Sequence, residues 1–373
     1  MSTGSSVNIV VAEDRDPDGL ALAKQQPGGT SAGSRRFAVV RLVAHLDPQY
    51  AGLLGALVVL LVVLSSVAPN FLTIVNLLNT VQNASFLGII ALGMTLVIIL
   101  AEIDISVGSA MALYSALLGV LVTYQHWPLW SVIVLVLLLG AALGAGIGYI
   151  RHRFNVPSFI VTLVGLTSFE GVAQWLTNSS PIALPTSGWF SFLGGGRVAG
   201  VPFPLIVFLV LFLVFWFVAS RTTFGTSVYA VGGNPQAARV AGISLMRARV
   251  LAFAGTGILA AVSGILLSSL IGSGNSDIGN GAEFQVIAAV IVGGTSLYGG
   301  RGSMVGTLIG VLFIAVLNDG LVLLGANQYL QEVAQGIIIL GAVLINEWLR
   351  GRDPAAGRRR RGIHLPSSVT AGR

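Results

Sequence analysis

No cysteine occurs anywhere in the 373 residues, which removes disulfides, thiolate catalysis and cysteine-based metal sites together. Charge is almost as scarce: 9% of residues are Asp, Glu, Lys or Arg, against roughly 25% in an ordinary soluble domain. The four histidines, His45, His126, His152 and His364, are scattered, and no H-E-x-x-H pair or nucleophile elbow accompanies them. Neither a metal site nor an intramembrane hydrolase finds support. There is also no G-x-x-x-x-G-K-[ST] loop to cradle phosphates, so the chain brings no cofactor of its own and any ATP would be used by a separate subunit.

What fills the chain instead is apolar: 54% of residues are hydrophobic and the mean hydropathy is +0.87, the composition of an integral membrane protein. With about 20 residues needed per crossing of a ~30 Å hydrocarbon core, the expected fold is all-α, with about ten transmembrane helices in one domain over 50–350. Crossings are expected at about 51–67, 84–101, 105–124, 128–150, 156–176, 203–220, 250–271, 282–297, 303–324 and 330–349, with a short polar helix over 69–83. Residues 1–49 mix Gly, Ser, Pro, Asp and Arg without apolar periodicity and read as a disordered tail, and 351–373 as a basic one. Ten crossings place both termini on one side. Every Lys and Arg except Arg197 then falls on that side, which the positive-inside rule makes the cytoplasm of a multi-pass protein in a bacterial inner membrane. Orientation thus accounts for the pI of about 10.2, and nucleic acid is not needed as a partner; membrane lipid is.

Glycine indicates how the helices pack. Gly140, Gly144 and Gly148 repeat every four residues, as do Gly302, Gly306 and Gly310, and small faces of this kind let helix backbones approach closely. Gly108-Ser109 and Gly302-Ser303 each open a small-residue-rich helix, a weak echo of two related halves.

Residues 221–249 form the one polar interval in the middle of the chain. Gly232, Gly233 and Asn234 interrupt what precedes, Pro235 suits a first helical position, Gln236 to Ala241 (Ala237, Ala238, Arg239 and Ala241 among them) are helix formers, and Gly242 before Ile243 ends the turn. So short a helix is unstable alone in water and needs a partner surface. A second motif, ALGMTLVIILAEIDISVGS over 91–109, sets Glu102 and Asp104 into an apolar run. Asp104 or Ser106 can cap the helix beginning near Ile105, or face a translocation path. A third, GGTSLYGGRGS over 293–303, is followed by small residues and Asn318.

These three stretches, in this order, resemble the signatures of ATP-binding cassette (ABC) permeases of the ribose and xylose type. G-x-N-x-x-A-A-R-x-A-G-I is similar to their ATPase-docking loop, A-L-G-M-T…I-D-x-S-V-G-S to their first glycine-containing motif, and G-G-T-S-x-x-G-G-R-G-S to their second. Those permeases usually carry a glycine pair before I-D, where this chain has Ala101-Glu102. The resemblance implies the permease subunit of an ATP-driven importer for a monosaccharide or similar polyhydroxylated solute. Its implied partners are a separate ATP-binding cassette ATPase, an extracytoplasmic sugar-binding protein and a second permease copy, either a homodimer or a close paralogue.

On this reading no residue performs covalent chemistry. Coupling to the ATPase would use Gly233 to Ile243, and the path of a neutral sugar would be lined by uncharged polar groups. The candidates are Asn76, Asn79, Gln82, Asn83, Gln285 and Asn318, with Asp104 and Ser106 beside them; helix-to-helix hydrogen bonding is the alternative role for each. An ion-coupled secondary transporter of a small polar solute is the other reading, because buried acids such as Glu102, Asp104, Glu170 and Asp319 could serve ion coupling.

Overall fold

The computed structural model describes residues 48–351 apart from Ser187. The expected tails therefore lie outside the described residues, save for Pro48, Gln49 and Gly351. The described chain is helical almost throughout: α1 (Pro48–Val67), α2 (Ile74–Ile99), α3 (Val107–Gly119) continued by a π-helical turn (Val120–Tyr124), α4 (Leu129–Arg153) and α5 (Ser158–Thr177). After a two-residue strand β1 (Ile182–Ala183) come a short helix α6 (Trp189–Gly195), a small hairpin of β2 (Arg197–Val198) and β3 (Val201–Pro202), and α7 (Phe203–Arg221). Then follow α8 (Thr223–Gly233), α9 (Pro235–Val240), α10 (Leu245–Ile271), β4 (Ser273–Gly274) paired to β1, α11 (Ala282–Val292), α12 (Met304–Leu323) and α13 (Gln328–Gly351).

Helix starts follow capping chemistry. Thr73, Thr222, Asn234, Ser244 and Ser303 each turn a side-chain oxygen onto a backbone N–H of the first turn that follows, at 3.0–3.3 Å.

Eight described helices are long and apolar enough to cross a membrane: α1 to α5, with α3 counted through its π turn, and α7, α10 and α12. Of the most apolar stretch of α2, 94% is buried, whereas the corresponding figure for α1 is 11%. The other helices therefore wrap α2, and the outer ones turn Val58, Val62, Leu138, Leu213 and their neighbours outward, as a lipid solvent requires.

Two expectations need correction. The polar segment 69–83 is not a separate helix: α2 runs unbroken from Ile74 to Ile99. Its amide side chains find partners elsewhere, Asn76 Nδ2 donating to Asp319 at 2.7 Å and Gln82 Nε2 to the Gly194 carbonyl at 2.8 Å, so nothing forces a break. The crossing expected at 282–297 is likewise not one helix. Helix α11 ends at Val292 and spans only about 16 Å at 1.5 Å per residue. The rest of the distance is covered by the non-helical segment Asn275–Gly281, which descends along α3. The Asn275 amide donates to Ser115 Oγ at 2.9 Å, and Gly279 lies against the Gly108 carbonyl and Met111. The last expected span, 330–349, lies within α13.

The glycine repeats are packing faces. A Cβ on Gly140 would stand 2.6 Å from the Gly257 carbonyl oxygen, and one on Gly144 or Gly148 would press on the backbone of Phe253 or Val250, so α4 and α10 meet backbone to backbone. Gly306 and Gly310 press in the same way on Gly293 and Ala289, seating α12 antiparallel to α11.

Candidate functional site

The three motifs distant in sequence converge at one end of the bundle. Helix α8 ends with Gly232 against the Ile99 carbonyl, and no side chain would fit there. The Gly300 amide donates to that carbonyl at 2.8 Å, and Tyr229 Oη donates to the Gly302 carbonyl at 2.9 Å. Glycine at 299 and 300, both at positive φ, lets this loop reach the backbone of Ala101 and Gly233.

Helix α9 stands on this junction. Asn234 Oδ1 accepts from the Ala237 amide at 3.0 Å, Pro235 occupies the first helical position, and Gly242 at φ +78° ends the helix while the Ile243 amide donates back to Ala238. Only Ala238 faces inward. Gly233, Asn234, Pro235, Ala237, Arg239, Ala241 and Gly242 are exposed, Val240 is 91% exposed, and Ile243 is half-buried against the core. Residues 234–242 thus form an outward-facing turn of helix that nothing among the described residues covers. Sequence reading found this helix but missed α8, whose Gly225 and Gly232 have the look of breakers and in fact serve close packing.

Beside the junction lies a buried ion cluster that sequence reading did not assemble. The Glu102 carboxylate, 3% exposed, accepts from Arg151 Nε at 2.8 and 2.9 Å and is ion-paired with Arg249 Nε at 2.8 Å. Arg249 Nη1 in turn lies 3.3 Å from His152 Nδ1. A carboxylate at this depth is sustained only by such partners. The cluster ties the α2–α3 connection to the end of α4 and the start of α10, which is the chain leaving the α9 turn. The signal was faint: an acid after α2 and arginines flanking two other helices. Ala101 adjoins it at φ +59°, the left-handed region a glycine would occupy without strain.

The polar candidates divide. Asp104 Oδ1 accepts from the Ser106 amide at 3.0 Å and from Ser106 Oγ at 2.6 Å, an interior turn leading into α3. Both residues border a void of about 10 Å³, room for about one water. Gln82 is used by Gly194. Asn76, Asn79 and Asn83 share one face of α2, from which Asn76 reaches Asp319 while Asn79 and Asn83 are exposed. Asn83 and Gln285 line one cavity of about 210 Å³ with Phe86, Leu87, Ile90, Met111, Leu267, Gly279 and Ala282, and Asn318 Nδ2 donates to Gln285 at 3.2 Å. The non-helical segment thus opens on that cavity through Gly279. Irregular backbone at membrane depth is tolerated where it is buried in protein or lines a wet cavity. Among the described residues no cluster of His, Asp and Glu could hold a metal ion.

A family model described as the branched-chain amino acid transport system / permease component matches residues 76–343. The probable ABC transporter permease protein YphD of Escherichia coli strain K12 is 46% identical over 332 residues, 89% of this chain and 98% of that protein. The ribose import permease protein RbsC of the same strain is 41% identical over 78% of this chain and 91% of its own length, and the xylose transport system permease protein XylH is 34% identical over 76% and 87%. No solved structure matches. With its apolar spans, the chain is a multi-pass protein of the bacterial inner membrane. It belongs to the branched-chain amino acid transport system / permease component family, and within it to the ABC monosaccharide permeases of the ribose and xylose kind.

Proposed function

We propose that this chain is the membrane-spanning subunit of an ATP-driven importer for a monosaccharide or similar polyhydroxylated solute, working by alternating access. The observation that carries it is α9: a capped, exposed helix of six residues seated on the backbone junction of Gly232, Gly300 and Ile99. It offers a separate ATPase a rigid handle connected to the helix ends beneath. Arg151, Arg239, Arg249 and Arg301 gather at this end and Arg197 stands apart on the β2–β3 hairpin, so the positive-inside rule argues for a cytoplasmic α9 end. The solute would arrive from an extracytoplasmic binding protein and pass between two permease copies.

Two amides, Asn83 and Gln285, at a cavity beside irregular backbone suit hydroxyl groups, which both donate and accept. The family description names branched-chain amino acids, but the relatives matched along most of their length carry ribose and xylose in their names. The test is uptake in vesicles holding the complete complex, against a panel of monosaccharides and leucine. ATP-dependent monosaccharide uptake that survives collapse of ion gradients is expected. Uptake that stops with an uncoupler at constant ATP returns the chain to an ion-coupled carrier, and preference for leucine overturns the solute class.

A further inference from the structure

The buried ion cluster holds one more positive charge than its carboxylate needs. Glu102 brings one acid and Arg151 and Arg249 bring two guanidiniums, with none of the three side chains more than 16% exposed. Arg151 alone satisfies the acid, since its Nε donates to both carboxylate oxygens at 2.8 and 2.9 Å. Arg249 Nε lies 2.8 Å from Oε1, an oxygen that Arg151 already uses, yet makes no hydrogen bond there or to any other described residue. Its Nη1 meets His152 Nδ1 at 3.3 Å. Taking a charge out of water is offset only by close and well-directed pairing. Arg249 has the charge without the direction, and it shares one oxygen with a like charge. Folding gives no reason for it, because a neutral, hydrogen-bonded Glu102 and Arg151 pair would remain without it.

Its place in the chain supplies one. Arg249 lies in the second turn of α10, and α10 begins five residues after α9 ends at Val240. Within that connection the Ile243 amide donates back to the Ala238 carbonyl and Ser244 caps α10 at the Arg247 amide, so no loose linker separates the two helices. Glu102 stands three residues beyond Ile99, the last residue of α2. The α9 turn is therefore held at both ends by the same stretch of chain, at its base by Gly232 and Gly300 against the Ile99 carbonyl and at its exit by Arg249 against Glu102. The first contact is backbone on backbone and rigid. The second is made by two side chains through charge, and it can part without breaking a helix. Both helices run on from here to the cavity, where α2 contributes Asn83, Phe86 and Ile90 and α10 contributes Leu267.

We propose that Arg249 is a positioning residue for coupling: its contact with Glu102 opens and closes in each ATP cycle as α9 is displaced, while Arg151 keeps the carboxylate paired. This rests on the transport reading above. The test uses vesicles of the complete complex carrying Arg249→Met, Arg249→Lys or Arg151→Met, in which assembled complex, ATP hydrolysis and monosaccharide uptake are each measured. Arg249→Met should assemble at the parental level and hydrolyse ATP, while uptake per ATP falls about fivefold or more. Arg249→Lys restores the charge without the guanidinium and should recover most of that ratio. Arg151→Met removes the hydrogen-bonded partner and should lower the amount of complex instead. Failure of Arg249→Met to assemble would overturn the proposal, because the arginine would then be a requirement of folding. Parental uptake per ATP in that variant, a fall of uptake and hydrolysis in parallel, or an uncoupled Arg249→Lys would each overturn it as well. So would an Arg151→Met complex that assembles normally and loses the same ratio, since the two arginines would then be equivalent. Absence of ATP-dependent uptake by the unsubstituted complex would instead count against the transport reading.

Discussion

The Gly300 amide and the Ile99 carbonyl, 201 positions apart in the chain, share a hydrogen bond of 2.8 Å directly beneath Gly232. Through this contact the end of α2, the loop before α12 and the base of the α9 turn form one backbone-to-backbone unit. A pull on α9 would reach the end of α2 and the loop before α12 through this unit.

Gly232→Ala tests that unit. The added methyl would meet the Ile99 carbonyl oxygen and stand 2.8 Å from the Gly300 nitrogen, so the junction has to open. Overpacking of this kind costs about 1–3 kcal/mol. Lowered thermal stability in detergent together with reduced uptake is expected; a fully active variant of parental stability would show that the junction carries no motion.

Arg239→Glu probes α9 from outside. The side chain is exposed, so membrane insertion and melting temperature should match the parent. Uptake and solute-stimulated ATPase activity should fall sharply, because a charge facing the partner has been reversed. Parental uptake would remove α9 as the docking element.

At the ion cluster, Glu102→Ala leaves Arg151 and Arg249 facing each other without their shared carboxylate. Removing one member of a buried pair costs roughly 3–5 kcal/mol. The expected result is a protein that expresses poorly or melts many degrees lower. Adding Arg249→Met should recover part of the loss, since it deletes one of the stranded charges, and no recovery would mean that the cluster is not energetically coupled.

Much of this architecture was legible in the chain. Long apolar runs announced the spans, the Gly233-Asn234-Pro235 punctuation and Gly242 announced α9, and the four-residue glycine spacing announced two close-packing faces without naming the helices they meet. Long-range pairing was not legible. The partner that keeps Asn76 from breaking α2 is Asp319, 243 positions away, and no local pattern encodes it. Glu102 stood out as a costly acid, but its arginines lie on helices whose order in space hydropathy does not give. The split crossing at α11 escaped for a related reason, because residues 282–297 are apolar enough for a helix while Gly293 and Gly294 bend the chain toward the junction. Of the site residues, Asn83, Gln285 and Asn318 gather at one cavity.

Ala101→Gly offers a test of strain. At φ +59° an L-residue with a side chain loses about 1–2 kcal/mol, set against roughly 0.5–1 kcal/mol of added freedom in the unfolded chain for glycine. A small rise in melting temperature is expected, and Ala101→Val should lower it.

Asp104 separates shape from charge. Its Oδ1 accepts from both the amide and the hydroxyl of Ser106, a task an asparagine oxygen can perform. Asp104→Asn should transport near the parental level, while Asp104→Ala leaves the buried Ser106 amide and hydroxyl without their acceptor and loses about 1–3 kcal/mol of stability. A dead Asn variant would make the negative charge itself essential.

The segment Asn275–Gly281 has one more consequence, in isotope exchange. Amides in the flanking helices are locked in i to i−4 ladders, but those of Asn275 and Asp277 are held by side-chain oxygens, Ser115 Oγ and Asn275 Oδ1. Such bonds open locally without melting a helix. Deuterium uptake in this stretch therefore reports whether bulk water reaches the middle of the bundle. In a cycling transporter its rate would rise and fall with the nucleotide state of the ATPase, giving a clock for path opening that needs no label on the protein.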